Sequence, residues 1–381
     1  MHIINVEPSP NDSVAVQMET SNQFPEITAA REAFSSGKTL PIEFRRRQLS
    51  NLQKMLHDEK SCEKIYTALH KDMRKSRFES FVSEVCFVRH EVQFQLMNLK
   101  KFTSPEKLSR NFLTLTNSAQ IRSEPHGLTL ELFRRFLDNN CYHVFLGDVE
   151  RTKALLTNRF DYIFFTGSTN VGRIIMQTAA KHLTPVTLEL GGKSPVYIHE
   201  SGCIRRTVKR IIFAKCHNMG QVCVGADFLI CTKRNDSLME DEIFGPILPI
   251  VTVSSADEAI HFLRSLERPL ALYIFSRNKK ITQRVLDSVP SGGVMVNELL
   301  LHISDLRVPF GGTGMSGMGR YHGKYSFDTF SHKRAVVTSG LSYLSEKFID
   351  PRYPPATSFN FAIANFYYSA MNYFPLRFQI T

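Results

Sequence analysis

A carboxylate and a thiol, each flanked by glycines, are the side chains of this sequence that are best suited to catalysis. Glu189 lies in Thr-Leu-Glu-Leu-Gly-Gly-Lys at 187–193, and Cys223 lies in Gly-Gln-Val-Cys-Val-Gly at 220–225. A thiol attacks as the thiolate, which needs a positive or amide-rich setting, and a carboxylate can take a proton from water. The pair therefore indicates an acyl intermediate on Cys223 that is hydrolysed with help from Glu189. The alternative for a cysteine in an apolar run is packing.

A glycine-containing turn at 167–172 is a second candidate site. It lies between a predicted strand that ends at Phe165 and a predicted helix that contains Arg173. Backbone amides at the start of a helix favour pyrophosphate, because they point at the ligand and the helix dipole attracts negative charge. The spacing differs from the Gly-x-Gly-x-x-Gly dinucleotide fingerprint, and a glycine turn without further context is simply a turn.

Alternating strands and helices position these residues, which predicts an open α/β sheet with parallel strands and helices on both faces. We predict strands at 141–146, 161–165, 185–188, 195–198, 228–231, 248–253, 271–275 and 293–296. Helices are predicted between them at 149–160, 170–182, 204–214, 256–264 and 281–289, and before them at 41–56, 62–70 and 78–102. The segment 112–122 alternates weakly between apolar and polar residues, so we expect an extended arm there rather than a central strand.

The composition excludes several classes of protein. With 381 residues the chain is long enough for two domains, and its formal charge of +11 suits an anionic membrane surface or an anionic cofactor. Basic clusters are usually solvated helix faces, and no nucleic-acid module accompanies them, so we expect no nucleic-acid partner. The seven cysteines are scattered and lack Cys-x-x-Cys spacing. We therefore expect reduced thiols, a cytoplasmic location and no metal site.

The two ends of the chain differ in character. Residues 1–23 are polar and read as a loose tail rather than a signal peptide or an anchor. Residues 359–378 carry aromatic and apolar residues at helical spacing, interrupted by Asn, Pro and Arg. Such a segment is too polar to span a bilayer, so we predict peripheral membrane contact in the interface, with docking on the protein core as the alternative.

The two catalytic segments resemble the aldehyde dehydrogenase superfamily, and further segments narrow the resemblance to its class 3 branch, which includes fatty aldehyde dehydrogenase. Those further segments are Tyr-Ile-Phe-Phe-Thr-Gly-Ser at 162–168, Glu-Ile-Phe-Gly-Pro at 242–246, Pro-Phe-Gly-Gly at 309–312 and Tyr-His-Gly-Lys-Tyr-Ser-Phe-Asp-Thr-Phe-Ser-His at 321–332. The resemblance runs from about residue 28 to about residue 355. Several independent matches in the same order make chance negligible.

The resemblance implies a Rossmann-type NAD-binding domain plus an α/β catalytic domain, both incomplete here. The expected division is a tail at 1–23, the cofactor domain at 24–189 with an extended arm near 111–126, the catalytic domain at 190–330, and a C-terminal arm and aromatic tail at 331–381. In relatives the arm is a protruding hairpin through which subunits pair. A homodimer is therefore expected.

The same resemblance implies oxidation of medium- or long-chain aliphatic or aromatic aldehydes to carboxylic acids with NAD or NADP. Cys223 would be the nucleophile and Glu189 the general base. The residues that match cofactor-binding positions are Gly167, Ser168, Gly172, Glu242 and Phe244, and those that match the substrate pocket are Asn297, His302 and Phe310. Taken singly, a loop asparagine is more often a turn residue, and a phenylalanine is more often core packing.

The sequence departs from the family at two places. After Gly127 it lacks a piece of βαβ size, ~30 residues, which carries the oxyanion-holding Asn and the ribose-contacting Lys. A second and longer piece is missing between Lys233 and Asp236. Two alternatives to an active dehydrogenase stay open. One is an impaired relative that acts by binding or pairing, and the other is a cysteine hydrolase that uses Cys223 with a histidine.

Overall fold

The computed structural model describes residues 24–108, 118–125, 137–143, 145, 148–231, 242–339, 342–343, 353 and 357–373. The predicted tail at 1–23, both points at which the chain departs from the family, and the end of the aromatic segment lie outside these residues.

The helices are α1 Pro25–Ser35, α2 Ile42–His57, α3 Glu59–Met73, α4 Arg77–Ser80, α5 Cys86–Thr103, α6 Val149–Leu156, α7 Thr169–Ala180, α8 Ile204–Cys216, α9 Ala256–Ser265, α10 Lys279–Ser288, α11 Lys324–Thr329 and α12 Ser358–Tyr373. The strands are β1 Glu106–Lys107, β2 Ser118–Pro125, β3 Ile163–Gly167, β4 Val186–Leu190, β5 Pro195–Ile198, β6 Phe228–Cys231, β7 Ile250–Thr252, β8 Ala271–Phe275, β9 Gly293–Val296, β10 Gly317–Met318 and β11 Ser331–Thr338.

The N-terminal part of the described chain is helical. The three predicted helices are confirmed, although the third is divided by a π-helical turn at Phe81–Val85 between α4 and α5. Helix α1 was not predicted. It begins at Pro25, which suits the first turn of a helix, and it buries Ile27 and Ala30 one turn apart.

The first sheet has the strand order β10-β4-β3. Strand β3 is parallel to β4, whereas β10 arrives from much later in the chain and pairs with β4 in the antiparallel sense. The prediction of a strand at 141–146 is wrong, because the described residues of that range, 141–143 and 145, form no strand. There the amides of Cys141 and Tyr142 donate to the carbonyl of Asp138, which forms a turn instead of a ladder.

The second sheet is the main core of the protein. Its five strands have the order β7-β6-β5-β8-β9, and every pairing is parallel. Both faces are covered by buried apolar clusters, one centred on Val196 and Tyr273 and the other on Phe228 and Ile274. Strands buried on both faces read as continuous apolar runs, which explains why the sequence predicted them well.

The third sheet joins distant parts of the chain in the order β1-β2-β11. Strands β2 and β11 are antiparallel over a register that runs from Ser331 opposite Pro125 to Thr338 opposite Ser118. Strand β2 confirms the extended character of the predicted arm within residues 118–125, while 109–117 lie outside the described chain. The pairing with β11 was not predicted.

Helix α12 occupies much of the predicted aromatic segment and exposes Phe359, Phe361 and Phe366. Within the parts of the chain that the structure describes, none of the helices is long and apolar enough to cross a membrane.

Candidate active site

Cys223 lies just after helix α8, in a loop that is held on both sides. The loop is closed by the amide of Gly225, which donates to the carbonyl of Val222 at 2.7 Å. The buried hydroxyl of Tyr273 donates to the carbonyl of Val224 at 2.6 Å, which ties the loop to strand β8. Cys223 packs against the core cluster beneath the loop. The sheet core therefore fixes the position of the thiol.

Glu189 is in the middle strand of the first sheet, between Thr166 of β3 and Gly317 of β10. The residue is 4% exposed, and neither carboxylate oxygen has a hydrogen-bond partner among the described residues. Burial raises the pKa of Glu189 to about 8. A carboxyl with a pKa near the working pH can gain and lose a proton readily, as a general base must.

The thiol and two carboxyls interact electrostatically. Burial first, and then the charges of Glu242 and Glu189, together raise the pKa of the Cys223 thiol to about 11. The backbone amides of Val224 and Cys223 act in the opposite direction, because they donate toward the sulfur. The structure thus brings together the predicted nucleophile and the predicted base, with Glu242 beside them.

Glu242 is placed against the glycine pair that follows Glu189. A Cβ atom on Gly191 would overlap the Glu242 carboxylate, so this close approach requires glycine. Burial raises the pKa of Glu242 to about 7, although the backbone amide of Gly192 partly offsets this effect. Phe244, two residues further on, is 48% exposed and has a positive φ of 45°. Phe244 is therefore accessible, whereas Glu242 is half-buried.

Two lysines, Lys193 partly buried and Lys215 buried, interact electrostatically with Glu242. Lys193 forms an ion pair with Asp227 at 2.6 Å, and Asp227 also accepts from the amide of Ile243 at 2.9 Å. Lys215 is 5% exposed; burial lowers its pKa, while Asp227 and Glu242 favour its charged form. The sequence reasoning did not single out Lys215 or Asp227. A lysine within the apolar end of helix α8 is the signal that could have identified Lys215.

The predicted cofactor turn is at the start of helix α7. Ser168 is the N-cap residue, and its hydroxyl accepts from the amide of Val171 at 3.4 Å. Gly167 ends strand β3, and Ser168 is exposed. Gly172 has a packing role, because a Cβ atom there would lie 2.7 Å from Leu190. The exposed start of helix α7 suits the phosphates of a dinucleotide. The Glu242 carboxylate against Gly191 could accept a hydrogen bond from a ribose hydroxyl.

Two of the three predicted pocket residues belong to an aromatic cluster beside the thiol. The ring of His302 lies 5.9 Å from Tyr273 and 6.2 Å from Phe310, and burial lowers the pKa of His302 to about 4. Phe310 forms a β-bridge with Tyr321, whose phenol interacts electrostatically with Glu189 and Cys223. Tyr273 and Tyr321 were not predicted as site residues. Tyr321 is the first residue of the characteristic segment 321–332, and that position is the sequence signal that could have identified it as a site residue.

Asn297 is not brought into this cluster. Its side-chain oxygen accepts from the amide of Ser276 at 2.9 Å, and its side-chain nitrogen donates to the carbonyl of the same residue at 2.9 Å. Its φ is +60°, a conformation that asparagine tolerates better than most residues. These contacts favour the interpretation of Asn297 as a turn residue.

Comparison with known proteins identifies the class to which this arrangement belongs. The sequence model of the aldehyde dehydrogenase family matches residues 128–235 and 228–336. Aldehyde dehydrogenase family 3 member B1 of Rattus norvegicus is 35% identical over 446 positions, which cover 87% of this chain and 94% of the relative. Family 3 member A2 of Mus musculus is 33% identical over 455 positions, covering 90% and 93%. The substrate-bound structure of Staphylococcus aureus AldH superimposes with a TM-score of 0.84 at 28% identity, covering 90% of this chain and 99% of that one.

The fold is that of the aldehyde dehydrogenases, and the chain is an NAD(P)-dependent aldehyde dehydrogenase, an enzyme that oxidises aldehydes to carboxylic acids. The chain belongs to the aldehyde dehydrogenase family, in its class 3 branch. The alignment with the rat relative also bears on the two missing segments. The alignment is 446 positions long and includes 87% of this 381-residue chain, which is about 331 residues. About 115 positions of the alignment therefore have no residue from this chain.

Proposed function

We propose that Cys223 is the nucleophile and Glu189 the general base with which this chain oxidises medium- and long-chain aliphatic or aromatic aldehydes. The observation that carries the proposal is the packing of three separate segments on one another: Gly220 of the thiol loop lies against Gly245, and the Glu242 carboxylate of that same segment lies against Gly191, two residues after Glu189. The apolar and aromatic lining supplied by Phe310 and Tyr273 supports an apolar substrate, because hydrophobic walls favour aliphatic and aromatic groups.

The residues divide the chemistry between them. The Cys223 thiol releases its proton to solvent and the resulting thiolate attacks the aldehyde carbonyl, while the backbone amides of Cys223 and Val224 favour the negative sulfur. The nicotinamide cofactor, when bound, accepts the hydride. Glu189 then takes a proton from water, the water oxygen attacks the thioester, and the acid leaves as the Cys223 sulfur is released. The unpartnered oxygens of Glu189 are free to hold that water.

The cofactor assignments are proposals supported by position. Ser168 and the amides that follow it would hold the pyrophosphate at the start of helix α7. Glu242 would contact the nicotinamide ribose, and the exposed ring of Phe244 would lie beside the nicotinamide. His302 and Phe310 would line the aldehyde side. Either NAD or NADP is accommodated by these contacts.

We also propose a cytoplasmic homodimer with peripheral membrane contact. The dimer is supported by the largely exposed strand β11 and by an apolar stripe on helix α8, where Ile204, Val208 and Ile212 are exposed at successive turns. The exposed aromatic residues of helix α12 support contact of 359–378 with a membrane interface. All seven cysteines lie in the described chain and none forms a disulfide, which is typical of a reducing compartment.

Purified protein, a medium-chain aldehyde such as octanal, and NAD or NADP test the catalytic proposal through formation of the reduced cofactor. Cys223→Ala should abolish turnover, whereas Cys216→Ala, an exposed thiol at the end of the neighbouring helix, should leave it unchanged. Glu189→Gln should accumulate a covalent acyl adduct on Cys223 that mass spectrometry detects. Full activity of Cys223→Ala would refute the assignment.

An impaired relative that acts by pairing is the second candidate function. It is favoured by the alignment positions to which this chain contributes no residue. The two candidates are separated by the same assay, because a pairing protein would form the dimer without reducing the cofactor.

A further inference from the structure

Three consecutive residues before the nucleophile loop have left-handed backbone conformations. Asn218 has φ 48° and ψ 34°, Met219 has φ 57° and ψ 26°, and Gly220 has φ 76°. Glycine adopts this region freely and asparagine tolerates it, but methionine, like most residues with a side chain, is disfavoured there. Met219 is 61% exposed, so burial of its own side chain does not compensate. Contacts from elsewhere must hold this turn, which we call the 218–220 turn.

One side of the 218–220 turn is held by close packing. A Cβ atom on Gly220 would overlap the carbonyl of Gly245, so the turn lies directly on the segment that carries Glu242 and Phe244. Within the turn, the side-chain amide of Asn218 donates to the carbonyl of Gln221 at 2.7 Å. These contacts fix the end of the turn that leads into Cys223.

The other side is held by a carboxylate from the N-terminal helices. The backbone amide of Asn218 donates to Oε1 of Glu79 at 2.9 Å, across 139 residues of sequence. The Nδ1 atom of His217 lies 3.7 Å from the same oxygen. Glu79 thus contacts the residue at which the left-handed run begins.

Glu79 is itself firmly placed. Its amide donates to the hydroxyl of the N-cap residue Ser76 at 3.1 Å, and its carbonyl accepts from the hydroxyl of Ser83 at 2.7 Å. The π-helical turn Phe81–Val85 follows directly, and such turns are frequent next to functional sites. A rigid backbone therefore presents the carboxylate to the 218–220 turn.

We propose that Glu79 is a positioning residue for Cys223, which stabilises the left-handed 218–220 turn and thereby sets where the thiol lies. The inference rests on the proposed function in one respect, the assignment of Cys223 as nucleophile. The physical reason is that a strained backbone persists only where surrounding contacts over-determine it. When the Glu79 contact is lost, the turn relaxes and the thiol moves relative to Glu189 and the core beneath it.

The test compares Glu79→Ala, Glu79→Asp and Glu79→Gln in the full chain. Alanine removes the acceptor, aspartate withdraws it by one methylene, and glutamine keeps an acceptor oxygen at the same reach. Glu63→Ala is the matched control, because Glu63 is on the adjacent helix α3 and pairs with Arg77 of α4 without contacting the turn. The readouts are amide hydrogen exchange of the 217–223 peptide, alkylation of Cys223 by iodoacetamide, and steady-state kinetics.

We expect Glu79→Ala and Glu79→Asp to exchange the 217–223 peptide about tenfold faster than wild type. Alkylation of Cys223 should become faster, because a looser turn exposes the thiol and lowers its pKa. The kcat value should nevertheless fall about 10- to 100-fold, with KM changed less, because misplacement acts on the reacting geometry. Glu79→Gln should recover most of the wild-type behaviour, and Glu63→Ala should match wild type.

Exchange and alkylation decide the proposal independently of turnover. If the wild-type chain reduced no cofactor, the proposed function would fail, but both measurements would still report on the turn. Should Glu79→Ala unfold, shown by fast exchange throughout the chain, Glu79→Asp decides. Wild-type exchange of 217–223 and wild-type alkylation in the variants that remain folded would overturn the role of Glu79.

Discussion

Gly317 lies directly opposite Glu189 in the antiparallel pair of β10 and β4, so the proposed base is pinned by a residue 128 positions later in the chain. Gly317 has φ 129° and ψ −168°, a combination that is essentially restricted to glycine. A Cβ atom there would overlap the carbonyl of Leu188, next to the base.

Gly317→Ala should therefore destabilise the protein by about 1–3 kcal/mol and lower kcat through displacement of Glu189. Denaturant unfolding measures the first effect, and cofactor reduction measures the second. Gly245→Ala is the stability control, because a Cβ atom added there would have its nearest neighbour 3.6 Å away and φ is not positive. Equal stability of Gly317→Ala and wild type would contradict the strained pairing.

The buried carboxyl of Glu189 should make stability depend on pH. Burial raises its pKa in the folded protein from the usual 4.5 to about 8. Below the lower value the group is protonated in both states. Between the two values the unfolded chain loses the proton and the folded chain keeps it, so the free energy of unfolding falls as pH rises.

Glu189→Gln removes this penalty. We expect the variant and wild type to melt together near pH 4, and the variant to be more stable at pH 9 by about 1–3 kcal/mol. Thermal unfolding across the pH range measures the difference. Glu150→Gln, an exposed carboxylate on helix α6, should show no such trend. A variant that is less stable than wild type at pH 9 would mean that Glu189 is not an unpartnered buried acid.

The carboxylate of Glu242 should suppress the reactivity of the Cys223 thiol. After burial, its charge is the largest cause of the raised thiol pKa. Glu242→Gln should lower that pKa, and the iodoacetamide reaction at pH 9 should become several-fold faster. Because the pKa of Glu242 is about 7, the difference should disappear at pH 5. Asp287→Asn on helix α10 serves as the control.

The missing segments should slow catalysis. An oxyanion donor contributes ~3 kcal/mol, about a hundredfold in rate, and the absent piece carries that donor in relatives. We expect turnover far below that of an intact class 3 relative and weaker cofactor binding. Insertion of both segments from such a relative should restore cofactor affinity and turnover together. Relative-like rates in the unaltered chain would show that the gaps remove nothing essential.

The sequence predicted elements well where one local signal was sufficient. Strands β5, β6 and β8 were placed at their observed bounds because each is an apolar run buried on both faces. The strand prediction at 141–146 was wrong. Its apolar residues fit a strand pattern, but the first two amides, those of Cys141 and Tyr142, donate to the carbonyl of Asp138 instead. The pattern of apolar and polar residues does not show which local hydrogen bonds will compete with those of a strand.

The site was predictable only as far as its motifs reach. Cys223, Glu189 and Glu242 could be predicted as site residues because each lies in a characteristic segment. Tyr273 was missed because its contacts, a hydrogen bond to Val224 and a ring contact with His302, depend on the order of the strands. Glu79 was missed for a similar reason, since nothing near it in sequence indicates that its carboxylate contacts Asn218. Positioning contacts between distant segments arise from the fold and leave no local pattern.

The ladder between β2 and β11 has a consequence for the order in which the protein can assemble. It joins Pro125 to Ser331, so the intervening loop encloses Cys223, Glu189 and every other residue assigned to the chemistry. Closing so long a loop costs entropy before its contacts stabilise it, and folds dominated by distant pairings form slowly. Among the described strands, a nascent chain that has not yet reached Ser331 offers β2 only the two residues of β1. The ladder that encloses the site therefore becomes available only after every residue of the site has been synthesised.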